Sequence, residues 1–439
     1  MTTYEELEQK MLRLSSPGIR PGLERVSRLL DLLENPEGRF PSVHIVGTNG
    51  KGSVSAFVSS TLRESGYRVA TYTSPHLESP SERLVINGSP LSVPQWEYAI
   101  RRVAAIIRSD SMLRNDPPSF FEVVTAVSFL LIAGNNVDIA VIEAGLGGRL
   151  DATNRLAKVV LTLVVSISMD HIEFLGDSIE KIADEKFAVM RPSTPCIFLG
   201  DPTSLIPRFL EVASEKKAIP HVLRDIVEVS NPETTLDGSS FSLKSTVSDV
   251  SADISTPLLG TYQLRNGALS AAACIELSRR FPLITKDSIL AGFRKAQWPG
   301  RLERFGRGPV LLLDGAHNPG GMAQLVESIR TLLPEKTISV LFAAMRDKDY
   351  RQNLRILSEI RPRLFCTTVP GMERAENPEI LAAAAREFSW KDEPVAYDNP
   401  EIAFGYVLDH SEYALCCGSL YFIGYIRPMA RKWASRNFL

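Results

Sequence analysis

A lysine and a hydroxyl side chain inside a glycine-rich turn can bind phosphate. One stretch offers them: Val43-His44-Ile45-Val46-Gly47-Thr48-Asn49-Gly50-Lys51-Gly52-Ser53. Gly47, Gly50 and Gly52 put no Cβ in the way, so backbone N–H groups can converge on an anion. Lys51 is placed to reach the β/γ-phosphates of a nucleotide, and the Ser53 hydroxyl to sit on a magnesium ion. The spacing departs from the general P-loop. Ile45 stands where that pattern has its first glycine, and Gly52 separates Lys51 from the hydroxyl residue. A plain glycine turn between strand and helix is the bland alternative, and the lysine weighs against it. Two more residues suit a divalent metal on the phosphates. Glu143 is a hard oxygen ligand; His171 is less usual for magnesium and points to a second metal position. Their alternatives are a solvated loop carboxylate and a strand-end histidine satisfied by backbone.

These side chains need elements that bring them together, and the alternation of the chain supplies them. Residues 43–46 read as a strand, and Val54, Phe57, Val58, Thr61 and Leu62 give the next segment helical spacing. Short strands are expected at 69–73, running into Ser74-Pro75-His76, at 137–143, delivering Glu143, and at 159–168, ending near Asp170-His171. Helical patterns cover 4–14, 23–33, 96–107, 120–133 and 176–189, the last carrying Lys186. Strands alternating with helices predict a parallel sheet covered on both faces, with ligands at the carboxyl ends of its strands. The P-loop, Ser74, Glu143 and His171 all fall at such ends, with Glu143 and His171 expected on neighbouring strands.

From 221 to 257 the pattern turns to short polar β-branched runs, read as a small antiparallel excursion on the first domain. Helices at 261–281 and 285–296 follow, and Gln297-Trp298-Pro299-Gly300-Arg301 marks a boundary. Beyond it five further strand–helix pairs are expected, from a strand at 309–314 to a helix at 419–433. The fold class is therefore α/β. A P-loop domain with a mainly parallel sheet spans 1–297, and a smaller Rossmann-like α/β domain spans 298–439. The second lacks a Gly-x-Gly-x-x-Gly fingerprint, so a dinucleotide is not indicated.

At 439 residues two domains are the prior, and 44% hydrophobic with 23% charged residues is ordinary for a globular chain. A net charge of -2 leaves no excess of cations for nucleic acid or an anionic membrane. Five cysteines without metal-knuckle spacing read as reduced thiols, and the N-terminus has no signal-peptide pattern, so a cytoplasmic location is expected. No apolar run has membrane-spanning length.

The motifs GTNGKGS (47–53), TSPH (73–76), SFFE (119–122), EAGLGGRLDATN (143–154), DH (170–171), LGDSIEKIADEK (175–186), PGRLE (299–303), DGAHNP (314–319) and GSLYFIG (418–424) occur in this order. Together they resemble the folylpolyglutamate synthase and dihydrofolate synthase family of the Mur ligase superfamily, over residues 20 to 430. The resemblance implies a Mur-ligase-like central domain and an ATP-dependent carboxylate–amine ligase. ATP would phosphorylate the carboxylate of a folate or of dihydropteroate, and the amino group of L-glutamate would displace phosphate from that acyl phosphate. By motif, Gly47, Thr48, Asn49, Gly50, Lys51, Gly52 and Ser53 would bind the triphosphate, and Ser53, Ser74, Glu143 and His171 would ligate Mg2+, with two sites expected. Lys186 matches the lysine that the family modifies to a carbamate, a further oxygen ligand beside metal. Phe187-Ala188-Val189 follow it where the family usually has Ala-Gly-Ile. Asn266, Arg301 and Asp314 fall in nucleotide-contacting motifs, and His317 and Ser419 in motifs near ATP and the incoming glutamate. Leu23-Glu24-Arg25, Phe120, Phe121, Glu122, Leu150, Asp151 and Ala152 would line the pterin side, with Asp151 a candidate to take a proton or orient the amine. The implied catalytic set is Lys51, Asp151, His171, Lys186 and His317, in a monomer.

Two competitors remain. A peptidoglycan Mur ligase, or a Mur-type ligase with another carboxylate acceptor, shares the chemistry; the peptidoglycan enzymes carry a uridine-binding domain before the P-loop, and only 46 residues precede Gly47 here. A P-loop NTPase would leave the second α/β domain and the His171/Lys186 pair without a role.

Overall fold

The computed structural model describes residues Thr2–Asn437. The strands of the larger unit are β1 (Ser42–Val46), β2 (Val69–Tyr72), β3 (Leu84–Ile86), β4 (Ser89–Pro90), β5 (Ile139–Glu143), β6 (Val159–Val164), β7 (Pro195–Phe198) and β8 (Ile219–Val222), most of them apolar runs. They form one sheet in the order β4-β3-β2-β5-β1-β6-β7-β8. The six strands from β2 to β8 in that order are parallel, and β3 and β4 extend the edge antiparallel. Strands buried on both faces read as unbroken hydrophobic stretches, which is why β1, β2 and β5 were legible. β5 and β6 are not neighbours: β1 lies between them, which corrects the expected pairing of the Glu143 and His171 strands.

Two clusters of buried side chains flesh out this unit. One joins the helices Tyr4–Arg13, Glu24–Leu32, Val93–Ser109 and Phe120–Gly134 to β2 and β5. The other joins β6 and β7 to the helices Ile179–Phe187 and Ile206–Lys216. Phe187, at the departure from the family's usual residues, is fully buried there with its ring 5.4 Å from both Phe198 and Phe209.

A three-stranded antiparallel sheet follows: β9 (Val227–Thr235), β10 (Gly238–Ser245) and β11 (Ser251–Thr256). The second unit's sheet has β12 (Glu303–Phe305), β13 (Val310–Leu313), β14 (Ser339–Phe342), β15 (Arg363–Thr367), β16 (Val395–Tyr397) and β17 (Tyr413–Cys417), in the order β12-β13-β17-β14-β15-β16. Only β12 is antiparallel, and helices lie between the strands in sequence as in a Rossmann-like unit.

By compactness the first unit comprises the chain to Ser230 with Ser242–Ile254 and Arg265–Ala296. The second comprises Asn231–Phe241, Ser255–Leu264 and the chain from Gln297 onward. The antiparallel excursion therefore does not belong wholly to the first domain. The Ser239 hydroxyl donates to the Leu258 carbonyl, the Thr234 hydroxyl accepts from the Gly260 amide, and Arg304 pairs with Asp237, all within the second unit.

Helix Lys51–Glu64, which follows the phosphate loop, is clamped from behind by helix Lys286–Lys295. Phe57 and Phe293 stack with centroids 4.6 Å apart. A Cβ on Gly292 would stand 2.4 Å from the Thr61 Cα, so only glycine permits this approach. Gly292→Val is expected to cost about 1–3 kcal/mol of stability by overpacking; an unchanged thermal midpoint would refute the close approach.

Candidate active site

The carboxyl ends of four strands adjacent in the sheet, β2, β5, β1 and β6, carry Ser74, Glu143, the Gly47–Ser53 loop and the Ser168–His171 segment. Gly47 has φ +142, and a Cβ there would stand 2.1 Å from a Val165 methyl. The loop is laced to the end of β6. The Thr48 amide donates to the Ser166 carbonyl at 2.7 Å, its hydroxyl donates to the Ser168 carbonyl at 3.1 Å, and the Ser166 hydroxyl donates to the Asn49 carbonyl at 2.9 Å. Gly50, at φ +103, lies against Asn266, whose Oδ1 would be 2.5 Å from an added Cβ. No side chain caps the first turn of helix Lys51–Glu64, so its free N–H groups are available to an anion in this cradle.

Two lysines meet at one oxygen. Lys51 Nζ donates to the Gly47 carbonyl at 3.2 Å and to that of Thr48 at 3.0 Å, and Lys186 Nζ donates to the Gly47 carbonyl at 2.9 Å. Burial, with Lys51 adding to it, lowers Lys186 to about 7, so a large share of this amine is neutral near physiological pH. The glycine-rich loop after β5 sets its position. A Cβ on Gly148 would stand 2.6 Å from the Glu185 carbonyl, the Arg149 amide donates to that carbonyl at 2.8 Å, and the Arg149 side chain pairs with the Glu185 carboxylate at 2.7 Å.

Asp151 holds the same loop closed. Its Oδ2 accepts from the Leu146 amide at 2.7 Å, and its Oδ1 accepts from the Thr153 amide at 2.9 Å and the Thr153 hydroxyl at 2.5 Å. Burial raises its pKa, and these donors oppose that shift. Because Thr153 donates to Asp151, His44 Nε2 must donate to Thr153 Oγ1, 2.9 Å away, which fixes the His44 tautomer. Asp151 thus has both oxygens engaged in loop geometry.

On the acceptor side, Phe121 packs against Gly145, where a Cβ would be 2.5 Å from its ring, with the Tyr72 ring 6.3 Å away. Glu122 caps its own helix through the Ser119 amide at 2.7 Å and pairs with buried Arg25 at 3.2 Å. Its Oε1 is buried with no partner among the described residues, an orphaned acceptor beside Phe121. Phe120 and Leu150 are half-buried, and Ala152 is buried.

The second unit carries its own constellation at adjacent strand ends, Asp314 after β13 and Ser419 after β17. Asp314 is buried and accepts from the Tyr262 hydroxyl and the Leu302 amide, both at 2.9 Å, and from the Ala316 amide at 2.8 Å. Burial raises its pKa; Arg301 is the chief influence opposing that shift. Gly315 lets Arg301 come close, since a Cβ there would meet Arg301 Nη1 at 2.3 Å. His317 Nδ1 lies 2.9 Å from the Gly315 carbonyl, and Asn318 caps the helix Pro319–Leu332 through the Gly321 amide. The sequence did not single out Tyr262, His44, Thr153 or Arg83; a hydroxyl or imidazole inside an apolar run carries no spacing signal.

Comparison with known proteins places this architecture. The Mur ligase middle domain matches residues 45–274, and the Mur ligase glutamate ligase domain matches residues 300–419. A dihydrofolate synthase/folylpolyglutamate synthase of Bacillus subtilis is 35% identical over 97% of this chain and 99% of its own. The chain belongs to this family. It is a Mur-type, ATP-dependent ligase. A folylpolyglutamate synthase of Lacticaseibacillus casei is 32% identical over 84% of this chain and 86% of its own. The crystal structure of the Mycobacterium tuberculosis folylpolyglutamate synthase complexed with ADP and AMPPCP superposes with a TM-score of 0.86 at 30% identity, covering 94% of this chain and 96% of that one. Among the described residues of this family member, no helix is long and apolar enough to cross a membrane, and no cluster of three His, Cys, Asp or Glu side chains is arranged for a metal. The side chains expected from the sequence to hold metal are a mixed set, a hydroxyl from Ser53, a hydroxyl from Ser74, the buried Glu143 carboxylate and the His171 imidazole. Three of the four are hard oxygens, which suit magnesium.

Buried histidines of this ligase make its stability fall in acid. Burial, with Arg191 adding to it, lowers His44 to about 3 from 6.5. Between those values the unfolded chain takes up a proton that the folded chain refuses, so stability is lost as pH falls through that window. His44→Gln is expected to flatten the acid slope of unfolding by about 1.4 kcal/mol per pH unit between pH 6 and 4. Parallel slopes for the two proteins in urea titrations would refute it.

Proposed function

We propose that this chain joins L-glutamate to the carboxylate of a folate and also to dihydropteroate. The observation that carries this is the meeting of Lys51 and Lys186 at the Gly47 carbonyl beside Glu143 and Ser74. Such a cluster of cations and oxygen donors suits a triphosphate and its metal. Identity to the Bacillus subtilis relative over nearly the whole of both chains supports the double activity, and the Lacticaseibacillus casei relative, named for the folate reaction alone, is the natural contrast.

Gly47–Ser53 and Asn266 hold the triphosphate, with Lys51 neutralising charge on the transferred phosphoryl group. Ser53, Ser74, Glu143 and His171 would hold two magnesium ions, which would supply charge neutralisation at the phosphate oxygens. A carboxylate oxygen of the acceptor attacks the γ-phosphorus, the bond to ADP breaks, and an acyl phosphate forms. The glutamate nitrogen, as the free amine, then attacks the acyl carbon, and inorganic phosphate leaves with the bonding pair and takes up the proton that the nitrogen loses. Phe120, Phe121, Glu122, Leu150 and Ala152 seat the pterin body, and the orphaned Glu122 oxygen offers it an acceptor. Asp151 orients the glycine-rich loop. Arg301 and Asp314 serve the nucleotide, and His317 and Ser419 the incoming glutamate. Lys186 is assigned as a carbamate, because an amine lowered to about 7 has the neutral form that adds to carbon dioxide. The same site would serve a monomer.

Phosphate release with ATP, magnesium and L-glutamate tests the main reading. Turnover of both dihydropteroate and tetrahydrofolate is expected; tetrahydrofolate alone would restrict the enzyme to tail lengthening, and silence with both would overturn the proposal. For Lys186, wild-type protein in 13C-bicarbonate is expected to show a carbamate carbon signal that Lys186→Met lacks. Identical spectra would remove the carbamate.

A further inference from the structure

We infer that Arg83 is a binding residue for the ring edge of the pterin, and that it favours the dihydro over the tetrahydro oxidation state. The inference rests on the folate reading above and extends it to a residue the family motifs did not supply. Arg83 ends the short turn Pro80–Arg83 and leads into β3, and its carbonyl accepts from the Thr73 amide at 3.0 Å, next to Ser74. The residue is buried, with 8% of its surface exposed. It spends one donor on protein: Nε donates to His76 Nδ1 at 3.0 Å. The guanidinium carbon sits 5.4 Å over the Phe120 ring. Among the described residues neither Nη atom has a hydrogen-bond partner or an ion pair within salt-bridge distance. Neither Nη is sealed from water, so the fork stays open to an acceptor from a ligand, with the half-buried Glu8 carboxylate near enough to feel the guanidinium charge.

The surroundings say what that acceptor is. The loop before Arg83 is rigid, because the Glu82 carboxylate accepts the amides of Leu77, Glu78 and Ser79 at 2.7–3.0 Å. The guanidinium is therefore held in place before any ligand arrives. Its charge reaches the Tyr72 hydroxyl, as do the charges of Asp151 and Glu143, so it belongs to the acceptor side of the same site. β3 lies three strands from β1, a lateral step of about 14 Å at the usual strand spacing. That distance is too long for Arg83 to share the reacting carboxylate with Lys51, and suits the far end of a substrate whose ring is joined to its carboxylate by a p-aminobenzoyl spacer.

A planar fork of two N–H donors matches two adjacent in-plane acceptors, the pairing by which arginine recognises guanine O6 and N7. A pterin offers the same pair in O4 and N5. In 7,8-dihydropterin N5 is an imine nitrogen with an in-plane lone pair. In tetrahydropterin N5 carries a hydrogen and is no longer planar, so one arm of the fork is lost. Arg83 thus discriminates oxidation state through a single nitrogen.

Equilibrium binding measured by calorimetry, on the full chain with Mg-ADP present, separates the outcomes. Dihydrofolate and tetrahydrofolate are the probes, since they share a tail and differ at the ring. Arg83→Lys keeps the charge and loses the fork; it is expected to weaken dihydrofolate roughly 5- to 150-fold and tetrahydrofolate several-fold less. Arg83→Met should do the same, with Mg-ADP affinity unchanged. Equal losses for both probes would overturn the N5 pairing. Unchanged binding with a lowered thermal midpoint would make Arg83 a structural residue only and overturn the proposal. Because binding is read without turnover, a wild-type enzyme that binds pterins yet releases no phosphate would count against the proposed reaction and leave the Arg83 result standing.

Discussion

Two lysine side chains converge on one backbone oxygen, and most of the larger unit is arranged around that convergence. Lys51 and Lys186 both donate to the Gly47 carbonyl, and the repulsion between them is only partly offset at Lys186 by Asp170, Asp151 and Glu185. The strain has two releases: an anion in the cradle, or loss of the proton from the deeper lysine. Burial has already moved Lys186 toward the second, to about 7. Gly47 itself cannot be exchanged for a larger residue, because Val165 fills the space where a Cβ would go. Lys186 cannot swing away, because Gly148 and Arg149 pin the backbone of Glu185 next to it. The phosphate loop, the glycine-rich loop after β5 and helix Ile179–Phe187 are therefore one mechanical unit.

The carboxylates divide into those that build and those that remain available. Asp151, Asp314 and Glu82 each accept two or more backbone N–H groups, and those bonds close the loops that carry the cations. An acceptor engaged in this way is fixed in position by the loop it closes. A reaction that proceeds by attack on phosphorus and then on an acyl phosphate asks mainly for positioning and charge neutralisation. Spending buried carboxylates on geometry fits that demand better than holding them as bases.

Much of this was legible in the sequence because it lies in unbroken patterns. β1, β2 and β5 are buried on both faces, so they read as apolar runs, and the turn residues at their ends stand out against them. The alternation of the second unit was clear for the same reason. β7, helix Ile206–Lys216 and β8 were not, since β8 is a half-exposed edge containing a proline and carries little strand signal. Arg83, His44 and Thr153 were hidden for a different reason. Their roles follow from partners that are distant in sequence, as with His44 and Thr153, which are 109 residues apart.

Strand order is the other thing a sequence does not display. Glu143 and His171 were expected side by side, and the sheet puts β1 between them. The chain lays β2 and then β5 on one side of β1, and crosses over to lay β6, β7 and β8 on the other. β1 is thus the place where successive connections change side, and such a switch point leaves a crevice at the carboxyl edge of the sheet. A phosphate loop there has neighbours on both flanks, with Glu143 and Ser74 toward one and Ser168–His171 toward the other. Had β5 and β6 been adjacent, metal donors would stand on one flank of the loop only. The central place of β1 is what allows one loop to be served from two sides, and it follows from the order of crossovers more than from any single residue.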